Sequence, residues 1–203
     1  MEFSLDDRIR NIVFDLGKVL LSYDWESYLE SFKFDKKTYE IMADAIFRNR
    51  VWEMGDEGIV TPDEWIELFV KNAPLYEAEI RDILSGIKKT ISPMDYTNDW
   101  IQYFKNKGYH LYYLSNYSEK LYIETKHDMK FIEEFDGGIF SYRVKCIKPE
   151  EKIYRILLDT YQLNPKETLF FDDRKENVST AIKMGIQGVV FTPDIAYNML
   201  KGV

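Results

Sequence analysis

The chain has 203 residues, 45% of them hydrophobic and 31% charged, and 35 acids against 27 bases give a formal charge of −8. That size and balance describe a globular chain able to bury a real core, and no apolar run approaches the roughly 18 residues needed to span a bilayer. The bases are scattered, which argues against nucleic acid as a main partner, while a single cysteine (Cys146) and two well-separated histidines (His110, His127) leave no disulfide and no histidine- or cysteine-rich metal site.

Any metal must therefore be held mainly by oxygen, which points to Mg2+ or a similar hard cation. The opening MEFSLDDRIR begins with acids and has no basic segment feeding an apolar one. It does not read as a secretory signal, so a cytoplasmic location with no membrane partner is expected. Oligomeric state is not legible.

The first predicted strand is NIVFDLG at 11–17, an apolar run with Asp15 at its carboxyl end. Four amphipathic helices are predicted next, WESYLESF at 25–32, KTYEIMADAIFRN at 37–49, PDEWIELFVKN at 62–72 and YEAEIRDILSGI at 76–87. Thr61 is a good N-cap, with Pro62 at the first helical position and Glu64 at the third. Residues 96–107 supply another helix, leading into the strand YHLYYLSN at 109–116, which ends in Ser115-Asn116. The strand GGIF at 137–140 leads within ten residues to Lys148, and ETLFFDD at 167–173 ends in Asp172-Asp173. GVVFT at 188–192 closes the series.

Short apolar strands alternating with helices predict a parallel α/β sheet. About ninety residues separate the first two of these strands, far too many for one crossover helix. We therefore expect a core made of residues 1–21 and 89–203, with 22–88 inserted as a mostly helical unit.

In an open parallel sheet the ligand crevice lies beyond the carboxyl ends of the strands. There the order of the chain collects a carboxylate, a hydroxyl, an ammonium group and a double carboxylate. Each residue alone has an ordinary reading. Asp15 could be a turn residue, Asp172-Asp173 a helix cap, and Lys148 a solvated side chain ahead of Pro149. As a set they make chemical sense around a divalent ion, because three converging carboxylates would otherwise repel one another and any phosphate. Asp15 could then attack phosphorus, Ser115 and the following amides could hold phosphoryl oxygens, and Lys148 could balance the charge.

The ordered segments IVFDLGKVL, LYYLSN, IKPEEKIY and LFFDDRKENVSTAIKMG resemble the four motifs of the haloacid dehalogenase-like hydrolase superfamily, spanning about residues 10–192. The resemblance implies a Rossmann-like core, Mg2+, a cap inserted after the first motif, and phosphatase chemistry on a small phosphorylated metabolite. It implies Asp15 as nucleophile and metal ligand, a metal-binding carbonyl on Gly17, and phosphate contacts from Ser115 and the amide of Asn116. Lys148 would be the charge-balancing lysine, with Asp172 and Asp173 as further ligands. The segment at 51–69 resembles the small helical cap of the α-glucose-1-phosphate phosphatase-like branch, which implies a sugar phosphate as substrate.

One position departs from the pattern. Most phosphatases of the superfamily carry a second aspartate two residues after the nucleophile, where it protonates the leaving oxygen. Here that residue is Gly17, and general acid-base help of this kind is worth about 10²–10⁴-fold in rate. Asp24 is the local candidate for a replacement acid, set against its reading as a helix N-cap. Two alternatives stay open: a metal-independent dehalogenase, which the Asp172-Asp173 pair argues against, and a catalytically weak binding protein. Elsewhere Asn177 is expected to orient an acidic ligand and Arg174 to be a solvated arginine. Trp52, Met54 and Trp65 are expected either to wall a pocket or to form the core of the inserted unit.

Overall fold

The computed structural model describes residues 6–202. The chain begins with β1 (Asn11–Phe14) and β2 (Leu21–Tyr23), then runs through α1 (Trp25–Glu30), α2 (Lys36–Met42), α3 (Arg50–Asp56), α4 (Pro62–Asn72) and α5 (Glu77–Ser85). It returns through β3 (Ile91–Pro93) and α6 (Thr97–Asn106) to β4 (His110–Ser115), α7 (Glu119–Thr125), β5 (Gly137–Phe140) and α8 (Ser141–Val144). The remainder is α9 (Glu151–Tyr161), β6 (Thr168–Asp172), α10 (Lys175–Lys183), β7 (Gln187–Val190) and α11 (Pro193–Lys201).

Five strands form one parallel sheet in the order β5-β4-β1-β6-β7, so the fold is α/β with a Rossmann-like core. The chain moves outward from β1 to β4 and β5, then crosses back to β6 and β7. The order thus reverses at β1, which places the crevice at its carboxyl end.

Alternation along the strands splits the core into two layers. On one face Ile12, Phe14, Leu111 and Phe171 pack with Trp100 and Phe104 of α6. On the other, Val13, Leu114 and Phe170 pack with Ile153, Tyr154 and Leu157 of α9. Phe14 sits edge-on to Trp100 at 5.0 Å between ring centroids and stacks on Phe171 at 5.8 Å. The residue before the site is thereby locked by aromatic packing worth more than its buried area alone.

The segment between β2 and β3 is mostly helical, but it and its edges differ from the periodicity, which also gave no sign of α3. β2 and β3 pair antiparallel as a small ribbon, Leu21 opposite Pro93 and Tyr23 opposite Ile91, where the chain leaves the core and returns to it. Three-residue strands are too short to leave a period-two signal. The helix expected over 37–49 stops at Met42 and continues as a π-helical turn, Ala43–Phe47, in which Arg48 N donates to Ala43 O at 3.0 Å. Asn72 of α4 takes the Ala45 carbonyl at 2.9 Å, and the wider turn delivers Phe47, Arg48 and Asn49 to the crevice. The Thr61 cap forms as expected, with Glu64 N donating to Thr61 Oγ1 and Thr61 N donating to Glu64 Oε2.

Candidate active site

Asp15 is the first residue beyond β1, its amide donating to Phe171 O at 2.8 Å. The chain then turns sharply, and the amides of Val19, Leu20 and Leu21 all donate to Leu16 O. Leu16 N in turn donates to Asp15 Oδ1 at 2.7 Å, fixing the carboxylate in a buried position, 7% exposed.

Lys148 arrives from the loop after α8 and is 2% exposed. Its Nζ lies 2.9 Å from Asp15 Oδ1 and 2.7 Å from Asp172 Oδ2, joining the carboxyl ends of β1 and β6. The lysine backbone is held from β4: Lys148 N donates to Asn116 Oδ1 at 2.8 Å and Asn116 Nδ2 donates to Lys148 O at 3.0 Å. Asn177 Nδ2 donates to both oxygens of Asp172 at 3.0 Å, the orienting arrangement expected of it. Asp172 Oδ1 also accepts from Arg174 N at 2.8 Å, but Arg174 itself is the N-cap of α10 and no side chain caps that helix, so neither Asp172 nor Asp173 is the helix cap its position after the strand allowed.

Asp15, Asp172 and Asp173 can each present an oxygen within 4.8 Å of the others. Among the described residues the histidine, cysteine and carboxylate donors that converge there are all carboxylates, a set that suits Mg2+ better than a softer metal. The cost of gathering them is visible in their titration. Burial pushes the Asp15 carboxyl up to about 7, with Asp172 and Asp173 adding to the effect and Lys148 opposing it. Asp173 is raised for the same two reasons, burial and then Asp172. Burial pulls Lys148 down, but Asp15 and Asp172 outweigh it and keep the lysine charged.

A cleft of about 840 Å³ opens above the trio, with Asp15, Gly17, Asn116, Lys148, Asp173 and Arg174 among its floor residues. The helical segment supplies the opposite wall, including Tyr23, Phe47, Trp52, Glu53 and Asp56. Ser115 and Asp172 lie just beneath this surface, 1% and 0% exposed. The Ser115 hydroxyl has only a 3.5 Å approach to Asn116 O, too long for a real bond.

The structure sorts the remaining candidates. Asp24 lies outside the cleft, exposed, and its Oδ1 accepts from Ser27 N at 3.0 Å as the N-cap of α1. Trp52 lines the cleft, Met54 does not, and Trp65 is buried behind, donating to Val51 O at 2.6 Å. Arg174, expected to be solvated, lines the cleft and pairs with Glu176. Asp56 was not singled out by the sequence. It stands in EMGDEG between two other acids, Glu53 and Glu57, and nothing local says which of them faces inward. Burial pushes its carboxyl up to about 8, with Glu53 and Asp15 adding to that and Lys148 opposing it.

The model of a haloacid dehalogenase-like hydrolase family matches residues 9–185. The chain is 23% identical over 190 residues to a sesquiterpene phosphatase of Aspergillus oryzae, covering 92% of each. It is 23% identical over 206 residues to a D-ribitol-5-phosphate phosphatase of Bacteroides thetaiotaomicron, again covering 92% of each. A HAD family enzyme from Bacteroides thetaiotaomicron, solved with magnesium and inorganic phosphate, superposes with a TM-score of 0.75 at 23% identity, over 91% of this chain and 94% of that one. The matched region contains Asp15, Lys148, Asp172 and Asp173, and the chain belongs to the haloacid dehalogenase-like hydrolase family.

Proposed function

We propose that this protein is a Mg2+-dependent phosphatase that hydrolyses a small phosphorylated metabolite through an aspartyl-phosphate on Asp15. The observation that carries the reading is the trio of Asp15, Asp172 and Asp173 joined to the buried Lys148 at the floor of one cleft. A halide-displacing enzyme has no need of that acidic trio. Two relatives named as phosphatases support the same class.

In this reading Asp15 attacks phosphorus with the oxygen that Leu16 N and Lys148 do not engage. Asp15, Asp172, Asp173 and the Gly17 carbonyl would hold Mg2+, which when bound would neutralise phosphoryl charge. Lys148 stays charged and steadies both the carboxylate and the phosphoryl oxygens. Ser115 and the Asn116 amide hold phosphate at the end of β4. Residues 22–88 act as the cap over the site, and the distal part of the substrate, a sugar phosphate by analogy with the polyol-phosphate relative, lies along the wall they present.

A panel of phosphomonoesters assayed with and without Mg2+ tests this. Turnover that disappears with EDTA and with Asp15→Asn is expected. Activity surviving either change would remove the mechanism.

A further inference from the structure

We propose that Asp56, supplied by the last turn of α3, is the proton donor and acceptor that the Asp15–Gly17 turn lacks. This rests on the phosphoryl-transfer reading above and deepens it.

Among the described residues four acids line the cleft: Asp15 and Asp173 of the trio, and Glu53 and Asp56 on the facing wall. Glu53 is exposed, whereas Asp56 is half-buried one turn further in. Asp56 therefore stands on the cap-side wall of the same cleft whose floor holds Asp15 and Lys148, on the side from which the leaving group of a phosphate on Asp15 would depart.

Its position is built into the backbone. Gly55 precedes it, and a Cβ there would lie 2.6 Å from the Trp65 ring, so only glycine lets α3 press against that indole. Gly58 follows at φ +63, with Tyr142 O only 2.4 Å from where its Cβ would be. Between them, the Asp56 carbonyl accepts from the buried Ser141 Oγ at 2.6 Å, and the same Oγ accepts from Tyr117 N at 2.9 Å. Asp56 is thus tied through one hydroxyl to the loop that carries Asn116. The groups facing it are Tyr23, Tyr117, Asp15 and Lys148 from other elements and Glu53 and Glu57 from its own end of the chain. Pushed up to about 8, the carboxyl holds its proton at neutral pH, the form an acid needs at the start of the cycle.

The protons balance. An Asp15 oxygen bonds to phosphorus as the ester P–O bond breaks, and the departing oxygen takes the Asp56 proton to leave as an alcohol. The Asp56 carboxylate then accepts a proton from water while the water oxygen bonds to phosphorus and the Asp15–phosphorus bond breaks. Phosphate leaves with both carboxyls restored.

The test compares phenyl phosphate with dinitrophenyl phosphate, whose leaving group needs no proton, in wild type and Asp56→Asn with Mg2+ present. The first turnover of phenyl phosphate is expected to slow by about 10²–10⁴-fold, and that of dinitrophenyl phosphate by less than about tenfold. The variant should also give a burst of one dinitrophenolate per site, then slow turnover while the phosphoenzyme waits for a base. Equal slowing of both first turnovers would overturn the assignment. Should the variant fail to bind inorganic phosphate and Mg2+ in a melting assay, a series of aryl phosphates on the wild type decides instead. A rate nearly independent of the leaving group supports a donor, and a steep dependence overturns it. Asp15→Asn that still turned over would remove the underlying mechanism, a result the leaving-group comparison cannot imitate.

Discussion

Asp15→Asn is expected to make the metal-free protein more stable while abolishing turnover. A carboxyl displaced from 3.8 to about 7 costs the folded state about 4 kcal/mol when ionised, at 1.36 kcal/mol for each pH unit. Asp15 is only 7% exposed, so solvent screening takes little from that figure. The asparagine can keep the bond from Leu16 N, but its amide hydrogens enter a buried site beside an ammonium group, at about 1–3 kcal/mol. A net gain of about 2 kcal/mol remains, or about 4–8 °C in Tm for a chain this size. Below 3.8 both folded and unfolded chains hold the proton and the substitution gains nothing from charge. As pH rises the unfolded chain ionises first, the wild type loses ground until about pH 7, and the difference is constant above. At about pH 5 the charge contribution should be about a third of its full size. Thermal or urea unfolding in EDTA at several pH values measures this directly. Saturating Mg2+ should then reverse the order, because a ligand at 100 times its Kd adds about 2.7 kcal/mol to the form that binds it. A variant that melts at or below wild type in EDTA at neutral pH, or a difference independent of pH, would refute the reasoning.

Lys148→Met leaves Asp15 and Asp172 buried without their shared cation and should destabilise the metal-free protein by about 3–5 kcal/mol, with Mg2+ recovering part of the loss in the same melts. Asp24→Ala removes the bond to Ser27 N and should cost about 1 kcal/mol by urea unfolding, with no change in the ratio of phenyl to dinitrophenyl phosphate turnover; a changed ratio would return Asp24 to the list of acids. A Cβ at Gly17 would meet nothing within 4 Å beyond its chain neighbours, and the residue does not sit at positive φ, so the backbone there accepts a side chain. Gly17→Asp in the Asp56→Asn background should restore at least about tenfold of the lost rate on phenyl phosphate, as measured by single-turnover kinetics.

What the sequence made legible follows the range over which each signal acts. The sheet could be read because Ile12-Val13-Phe14 and Leu169-Phe170-Phe171 are buried on both faces, and burial on both faces writes a continuous apolar run. The floor of the cleft could be read because parallel strands deliver their carboxyl ends to one place, so Asp15, Ser115 and Asp172 needed only to end their strands. Lys148 came with them, although the bonds that hold it, from Asn116 and to Asp172, span 32 and 24 residues. The opposite wall obeys no such rule. Which of Glu53, Asp56 and Glu57 faces inward depends on how far α3 can press against Trp65, and that is set by Gly55, by the turn at Gly58 and by a serine 85 residues away. Asp24 drew attention because it lies close to Asp15 along the chain, yet nine residues that pass through a tight turn and a strand carry it out of the cleft, whereas 41 residues folded back over the sheet bring Asp56 in. Gly17 leaves the turn after Asp15 without the acid the pattern calls for. The residue proposed in its place, Asp56, is positioned by the packing of a helix far along the chain.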